Sequence, residues 1–364
     1  MATTQPQTQR KGRIGTLETA RFLFIVFIYL SHCITETDRS PFDFGGESGV
    51  AFFFVLSGFV LSLGYGRKVE EGTFGVRRFF VTHLARLYPL HLLTMAATIV
   101  LDSRLGVSYS CMQILSHVFL LQTWTASVHY ISIANGVAWF LCDTLFFYAV
   151  FAVVYRWLMR QSVRRLCVMG MALVAVYVPL ALQVPDEKVN WTLYGYPLLR
   201  VIDFSLGILL CRFYLSQRSQ RIAMRMESLS VWRATGVEML GVAAVVVAWM
   251  LYGDMPKSLR CAALFWPVMP FVIYVLAVAD GGRGLLSRLM RQPLLMRLGG
   301  VSFEIYLIHL IMMRVAYHAL HTVCGETGEV QVFIVAFLAS IVVAFALQRW
   351  LVTPVYNRVK SACK

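Results

Sequence analysis

Long apolar runs separated by short, polar and mostly basic segments dominate the pattern of this chain. A transmembrane helix needs about 20 predominantly apolar residues. The pattern therefore predicts an all-α integral membrane protein of about ten transmembrane helices. The predicted spans are 14–34, 48–63, 84–101, 136–155, 166–183, 195–211, 235–252, 261–279, 298–320 and 331–350.

Three segments need a separate interpretation. Segment 111–124 is apolar but short, which is typical of a re-entrant or interfacial helix. The second span is also short and can be broken at Gly58, because small residues permit an unwound turn or a close helix contact. The first apolar run contains Glu18 and Arg21 and lacks a clear small-residue cleavage site. We interpret it as a retained first span and not as a cleaved signal peptide.

Composition and charge agree with this interpretation. The chain is 58% hydrophobic and 14% charged, with a mean hydropathy of +0.67, whereas soluble domains are about 45–50% apolar and about 25% charged. The net charge of +14 does not indicate a nucleic-acid partner, because the basic residues lie in short loops between apolar runs. Of the 33 Lys and Arg residues, 25 fall on one side of the predicted membrane and 5 on the other. This asymmetry predicts that both termini are cytoplasmic.

One integral-membrane domain, 14–356, is expected between a cytoplasmic N-terminal tail, 1–13, and a cytoplasmic C-terminal tail, 357–364. No internal repeat or biased linker marks a second domain. The eight cysteines contain no Cys-x-x-Cys pair and mostly lie in apolar runs, so neither a metal site nor a disulfide framework is predicted.

Ionisable residues inside the predicted spans are the strongest chemical signal, because charge in hydrocarbon is costly. Arg21 and His32 lie eleven residues apart on the first span, which places them on one face and about 16 Å apart along the helix axis. A cation that can hold an anionic group is thus aligned with a proton-transfer group. The structural alternative is that Arg21 pairs with Glu18 and His32 caps the helix end.

Two further stretches carry candidate chemistry, each with a structural alternative. Ser57, beside Gly58, can donate a hydrogen bond to a substrate or to its own helix backbone. The segment that enters the third span from the cytoplasm contains Arg78, Arg86 and Tyr88, and basic residues at a membrane entry can hold phosphates. Positive-inside anchoring explains Arg78 equally well, but Arg86 lies at the opening of the helix.

The ninth span contains His309, preceded by Tyr306 three residues earlier. A helix-packing hydrogen bond and a substrate or structural-catalytic role are both open for this histidine. Asp203, on the sixth span, is interpreted as structural.

The order and spacing of several short motifs resemble the membrane-bound acyltransferase-3 family across roughly 14–356. The motifs are Arg-x10-His (Arg21, His32), the Gly-Val and Phe-Phe-x-Leu-Ser-Gly-Phe stretch (Gly49 to Phe59), Arg-Leu-Tyr-Pro (Arg86 to Pro89), the Trp-x-Leu and Phe-Tyr block (Trp139, Leu141, Phe147, Tyr148), Asp-Phe-x-x-Gly (Asp203 to Gly207) and Leu-Gly-x-x-Ser-Phe-x-x-Tyr-Leu-x-His (Leu298 to His309).

The resemblance implies a bacterial inner-membrane, multi-pass O-acetyltransferase that takes an acetyl group from acetyl-CoA at the cytoplasmic face. Members of the family O-acylate exopolysaccharide, O-antigen, Nod factor and related glycans. His32 then corresponds to the catalytic histidine. Arg21, Arg86, Arg78 and Tyr88 would bind the donor, and Trp139, Asp143, Tyr306 and His309 are further substrate or structural-catalytic candidates. No bound cofactor or metal is implied.

The chain departs from the family pattern mainly at its acids. The acid that often follows the Gly-Val pair is Ala51 here, so Glu47 or Asp43 is the expected partner of His32. His32 would then act as general base on a hydroxyl, oriented by that acid, with Ser57 or Arg21 stabilising the oxyanion. A covalent acyl-histidine or acyl-cysteine intermediate is the alternative route. The cysteine would be Cys33, next to His32, although adjacent helix residues do not face each other.

The predicted acceptor is a glycan or a lipid-linked oligosaccharide, with exopolysaccharide favoured. Partners are therefore acetyl-CoA, this acceptor, the lipid bilayer and other polysaccharide-assembly membrane proteins, with no nucleic acid. Two other function classes stay open at this point. Intramembrane charges and broken spans also mark transporters of polar solutes or polysaccharide precursors. The missing acids would also permit a non-catalytic member of the same fold.

Overall fold

The computed structural model describes residues 13–33, 45–125, 127–131, 133–325 and 328–363, and all regular structure in these ranges is helical. The prediction of an all-α fold is therefore confirmed. The helices of the first half are α1 (Gly15–Ser31), α2 (Gly46–Glu70), α3 (Val76–Arg104), α4 (Cys111–Val118), α5 (Val128–Ile131), α6 (Trp139–Met159), α7 (Val163–Ala181), α8 (Asp186–Val189) and α9 (Pro197–Tyr214). Those of the second half are α10 (Gln217–Ser228), α11 (Val231–Tyr252), α12 (Lys257–Arg260), α13 (Phe265–Val278), α14 (Leu285–Met290), α15 (Pro293–Gly300), α16 (Ser302–Cys324), α17 (Glu329–Leu347) and α18 (Thr353–Ala362).

Eight helical segments of the described chain are long and apolar enough to cross a membrane. They are Gly46–Glu70, Val76–Arg104, Gly136–Met159, Val163–Ala181, Val231–Tyr252, Lys257–Gly281, Ser302–Val323 and Glu329–Ala362. A ninth crossing arises if Asp186–Tyr194 and Pro197–Tyr214, which meet at a bend of 55°, form one broken span. The remaining predicted span corresponds to α1, which has 17 residues and is only about 26 Å long.

Both described ends of the chain lie at the same end of the helix bundle. Arg13, before α1, and Asn357, in α18, line one cavity. If α1 and the bent pair both cross, the described chain crosses ten times, and this even number agrees with two ends that lie together. We call this end of the bundle the terminal end and the opposite one the distal end.

The short segment 111–124 does not form a crossing helix within the described chain, in agreement with its predicted length. Instead, α4 is held against α3 and α5 by three hydrogen bonds. The hydroxyl of Tyr88 donates to the carbonyl of Val118 at 2.8 Å. The Nε2 of His91 bonds the carbonyl of His117 at 2.8 Å, and the Nε2 of His117 bonds that of Tyr130 at 2.6 Å. Two buried histidine side chains thus tie this short helix to its neighbours through backbone carbonyls.

The second span is an unbroken helix, so the break considered at Gly58 is wrong. Gly58 instead permits α2 and α9 to touch. A Cβ at Gly58 would lie 2.0 Å from the carbonyl oxygen of Phe204, and one at Gly207 would lie 1.9 Å from that of Val55. The two glycines therefore form a reciprocal backbone contact, as small residues do between membrane helices.

The position of α1 is fixed by its neighbours at the terminal end. It packs against α2, α15 and α16. The hydroxyl of Thr16 donates to the carbonyl of Leu276 at 2.7 Å, and that of Thr19 donates to the carbonyl of Met290. These bonds anchor the first turns of α1 to α13 and α14, and thereby set where Arg21 and His32 lie.

Candidate active site

Two histidines from distant parts of the chain meet next to the C-terminal end of α1. His32 is the C-cap residue of α1 and is half-buried, while His309 lies within α16 and is fully buried. Their ring centroids are 5.1 Å apart, and Nε2 of His309 lies 3.4 Å from Nδ1 of His32. The sequence named both residues, and the fold brings them into contact.

The hydrogen bonds of His32 define which ring nitrogen can accept a proton. Its Nδ1 lies 2.8 Å from the carbonyl oxygen of Ile28, one helical turn earlier. A carbonyl can only accept, so Nδ1 carries the hydrogen and Nε2 keeps the lone pair in the neutral ring. His32 thus combines two features: it caps the helix, as the structural alternative predicts, and it retains a basic nitrogen.

A cavity of roughly 620 Å³ opens at the terminal end of the bundle. Residues from the start of α1, from α3, α15 and α16, and from the last helices surround it. They are Arg13, Glu18, Arg86, Pro293, Met296, Arg297, Gly300, Glu304, Phe345, Gln348, Val352, Thr353, Tyr356 and Asn357. Its volume lies in the range of small-molecule sites, and its three arginines outnumber its two acids.

Arg21 lies beside this cavity in a group of charged residues. Its Nη1 is 3.7 Å from Oε2 of Glu18, the partner that the structural alternative predicts. Glu18 also pairs with Arg13 at 3.6 Å. Arg21 further interacts electrostatically with Arg86 and Glu304. The i, i+3 pair is therefore present, and its carboxylate, Glu18, lines the cavity.

The buried carboxylate of Glu304 offers an acceptor within this wall. Its Oε2 has no hydrogen-bond partner among the described residues. Glu304 and His309 are five residues apart on α16, about 7.5 Å along the axis. The cavity and the histidine pair are therefore both built on α1 and α16. The histidine pair lies farther from the terminal end than the cavity does.

Several predicted site residues have other partners. The Ser57 hydroxyl donates to the carbonyl of Phe53 at 2.8 Å, which is the backbone alternative considered from sequence. Tyr88 bonds Val118, as described above. Arg78 is exposed and is not among the residues that line the cavity. A donor-binding role for Tyr88 and Arg78, and an oxyanion role for Ser57, stay predictions without a contact that supports them.

The expected acid partner of His32 was Glu47 or Asp43. Oε2 of Glu47 accepts a hydrogen bond from the hydroxyl of Tyr252 at 2.6 Å, so this carboxylate contacts α11. Asp43 lies outside the described residues. The thiol of Cys33 is buried and donates to the carbonyl of Tyr29 at 3.4 Å. This geometry gives the acyl-cysteine route no support.

Tyr306 contacts His309 of the histidine pair, whereas Trp139 packs against Tyr194. The hydroxyl of Tyr306 donates to the carbonyl of Val137 at 2.8 Å, which ties α16 to the start of α6. Trp139 is buried, and its ring lies 4.7 Å from that of Tyr194. Both residues pack within the protein, in keeping with a structural role.

Asp143 belongs to a separate buried ionic cluster. It interacts electrostatically with Arg200, whose Nη2 lies 3.4 Å from Oδ1 of Asp203. All three side chains are fully buried. The guanidinium of Arg200 also donates to the carbonyl of Cys261 at 3.1 Å. Asp203 therefore has a structural partner in Arg200, as the sequence suggested, and Asp143 interacts with Arg200 only through electrostatics.

Sequence reasoning missed the part of the cavity wall contributed by α15, α18 and the turn between α17 and α18. Arg297 was counted only as a membrane anchor, and Gln348, Tyr356 and Asn357 were not singled out. The density of basic residues near the C-terminus was the available signal, but anchoring explains that density equally well. No group of three metal-ligating side chains occurs within the described ranges.

A family model described as an acyltransferase domain matches residues 14–349. The chain belongs to the acyltransferase-3 family. Acyltransferase MdmB of Streptomyces mycarofaciens is 28% identical over 327 residues, which cover 83% of this chain and 78% of that protein. Protein 2 in the picA locus of Rhizobium radiobacter is 38% identical over 84 residues, 23% of this chain and 43% of that protein. No solved structure matches the chain.

Membership of the acyltransferase-3 family and the acyltransferase relative identify the protein as an acyltransferase. The apolar helices add that it is a multi-pass membrane protein. The matched range contains the histidine pair, Arg21, Arg86 and Glu304, so these residues of the candidate site lie within the family domain.

Proposed function

We propose that the protein transfers an acetyl group from cytoplasmic acetyl-CoA to a sugar hydroxyl of an exopolysaccharide or of its lipid-linked repeat unit. The observation that carries this proposal is the arrangement along α1. A cavity with a basic wall lies at one end of that helix, and a histidine whose Nε2 holds a lone pair in the neutral ring lies at the other.

The cavity suits the donor for reasons of charge and shape. Coenzyme A carries several phosphate charges, and arginine forms strong charge-assisted bonds with phosphate. Arg86 and Arg297 line the cavity, and Arg21 lies beside it. The excess of basic residues that the sequence predicts on the side of the two termini favours a cytoplasmic terminal end, where acetyl-CoA would be available.

The pantetheine arm provides the connection between the two ends. Arg21 and His32 are about 16 Å apart along α1, a distance that a long, thin arm can bridge. Arg21 is therefore assigned to the donor's charged or polar portion and not to the oxyanion at the reacting carbonyl. The buried Oε2 of Glu304 can accept a hydrogen bond from a pantetheine amide N–H.

The chemistry follows from the lone pair on Nε2 of His32. This nitrogen removes the proton from the acceptor hydroxyl as its oxygen attacks the thioester carbonyl. The C–O bond forms, the C–S bond breaks, and His32 returns the proton to the sulfur of coenzyme A. The products are an O-acetyl ester and free coenzyme A, and the histidine ends neutral.

The test combines a cellular and a purified measurement. Proton NMR of surface polysaccharide should show an O-acetyl signal in a deletion strain that carries the wild-type gene and none in the deletion strain alone. The purified protein should release coenzyme A from acetyl-CoA only when acceptor is present. Unchanged acetylation in the deletion strain, together with solute flux into liposomes that contain the protein, would favour the transporter class instead.

Replacing Arg86 by glutamine should raise the KM for acetyl-CoA about tenfold, which corresponds to about 1.4 kcal/mol of lost binding, and should leave kcat nearly unchanged. The guanidinium holds the donor equally in the ground and transition states, and uniform binding appears in KM alone. Steady-state kinetics with varied acetyl-CoA measure both constants.

Arg77→Gln is the matched control, because Arg77 is exposed on the same helix and does not line the cavity. It should keep the wild-type KM. Equal KM values in the Arg86 and Arg77 variants would remove Arg86 from the donor site.

A further inference from the structure

We propose that His309 is the positioning residue of His32 and occupies the place that a carboxylate takes in a catalytic triad. This inference rests on the proposed function, because it assigns a role in the reaction that His32 performs. The two residues are 277 positions apart in sequence, and the bundle places Nε2 of one ring 3.4 Å from Nδ1 of the other.

The protonation state of His309 follows from its own hydrogen bond. Its Nδ1 lies 2.6 Å from the carbonyl oxygen of Tyr306. Because this oxygen only accepts, Nδ1 carries the hydrogen in the neutral ring, and Nε2 holds a lone pair. The nitrogen that faces His32 is therefore an acceptor, and Nδ1–H of His32 is the donor that it meets.

The hydrogen on Nδ1 of His32 is shared between two acceptors. The carbonyl of Ile28 lies at 2.8 Å, and Nε2 of His309 lies at 3.4 Å. Both contacts select the same tautomer, in which Nε2 of His32 is the base. The carbonyl of Ile28 orients the His32 ring from within α1, whereas His309 orients it from a second helix, α16.

His309 is itself held from several sides, which a positioning residue requires. It is fully buried. The ring of Tyr29 lies 6.0 Å from it in an edge-to-face arrangement, and the hydroxyl of Tyr29 donates to the carbonyl of Phe333 at 2.6 Å. Tyr306, which supplies the carbonyl, is bonded through its own hydroxyl to Val137. The orientation of His309 is therefore set by α1, α17 and the turn that precedes α6.

The role of His309 becomes strongest during the reaction. When Nε2 of His32 takes the hydroxyl proton, the ring becomes an imidazolium and its Nδ1–H becomes a stronger donor. The lone pair of His309 then accepts from a cation, as a triad acid does, but without adding a charge to the membrane interior. The proton leaves again to the coenzyme A sulfur, so His309 remains neutral throughout.

Two amide substitutions separate this role from a purely structural one. In His309→Gln the side-chain oxygen can occupy the place of Nε2 and accept from His32. In His309→Asn the amide can reproduce only the bond from Nδ1 to the Tyr306 carbonyl. We expect the glutamine variant to retain at least about tenfold more kcat than the asparagine variant, with an unchanged KM for acetyl-CoA in both.

The measurement uses the purified protein, with acetyl-CoA as donor and, as acceptors, isolated de-O-acetylated surface polysaccharide and its lipid-linked repeat unit. Size-exclusion profiles in detergent establish that each variant is assembled. His309→Leu fills the space without an acceptor and should match the asparagine variant; it replaces that variant in the comparison if His309→Asn does not assemble.

Equal kcat values for the glutamine and asparagine variants, or a higher kcat for asparagine, would overturn the positioning role, as would a leucine variant as active as glutamine. Failure of the wild-type protein to transfer acetyl groups would instead refute the proposed function itself. The two failures are therefore distinguishable in one experiment.

Discussion

Replacement of His32 by alanine is expected to abolish acetyl transfer. The side chain supplies the only step in the proposed reaction that moves the hydroxyl proton, and a general base typically contributes about 10²- to 10⁴-fold in rate. The acceptor hydroxyl would then have to attack without deprotonation. The O-acetyl signal of surface polysaccharide, measured by proton NMR, should disappear in a deletion strain that carries the variant.

His318→Ala provides the control for this experiment. His318 lies on α16, as His309 does, but it is exposed and far along the helix from the histidine pair. Its replacement should leave the O-acetyl signal intact. An O-acetyl signal of wild-type strength with His32→Ala, at equal membrane expression, would contradict the assignment of the base.

Helical periodicity was sufficient to predict one part of the site. Arg21 and His32 lie on one continuous helix, so their spacing of eleven residues fixes a shared face and a separation without any knowledge of the fold. The contact of Arg21 with Glu18 was equally accessible, because it joins residues three positions apart. Distances within one helix do not depend on how the helices of the bundle pack against each other.

The contact between His32 and His309 was not accessible in this way. Both residues could be named from the sequence, but their distance depends on how α1 and α16 pack, and their separation of 277 positions gives no local constraint. The cavity could not be predicted from the sequence for the same reason, because five or more helical segments contribute to its wall. Basic residues at such a wall and basic membrane anchors have the same sequence pattern.

The hydrogen-bond partners of the hydroxyl side chains could not be predicted from the sequence either. Ser57 and Tyr88 stand in motifs that suggest chemistry, yet both donate to backbone carbonyls. In a membrane, an unpaired polar group costs several kcal/mol, so a hydroxyl takes the nearest carbonyl in the absence of a better partner. A sequence shows which side chain can donate a hydrogen bond, but not which of several nearby acceptors it meets in the fold. The hydroxyl of Ser57 donates to a carbonyl one helical turn away.

The second large effect is expected at the contact between α2 and α9. Replacement of Gly207 by alanine would place a Cβ 1.9 Å from the carbonyl oxygen of Val55 and 2.8 Å from the backbone nitrogen of Phe59. These are backbone atoms of a helix and cannot rotate away, as a flexible side chain could. The two helices must separate, and Gly58 then loses its contact with Phe204 as well.

We expect this substitution to cost about 3 kcal/mol or more, at or above the upper end of typical overpacking penalties, and to remove most of the assembled protein from the membrane. Detergent size-exclusion profiles and thermal unfolding of the purified protein measure this loss. Gly236→Ala is the matched control, since a Cβ added to this helical glycine of α11 would have no neighbouring atom within 4 Å. It should unfold at the wild-type temperature or slightly above it, because alanine favours the helix. A Gly207 variant as stable as the Gly236 variant would show that α2 and α9 do not depend on their backbone contact.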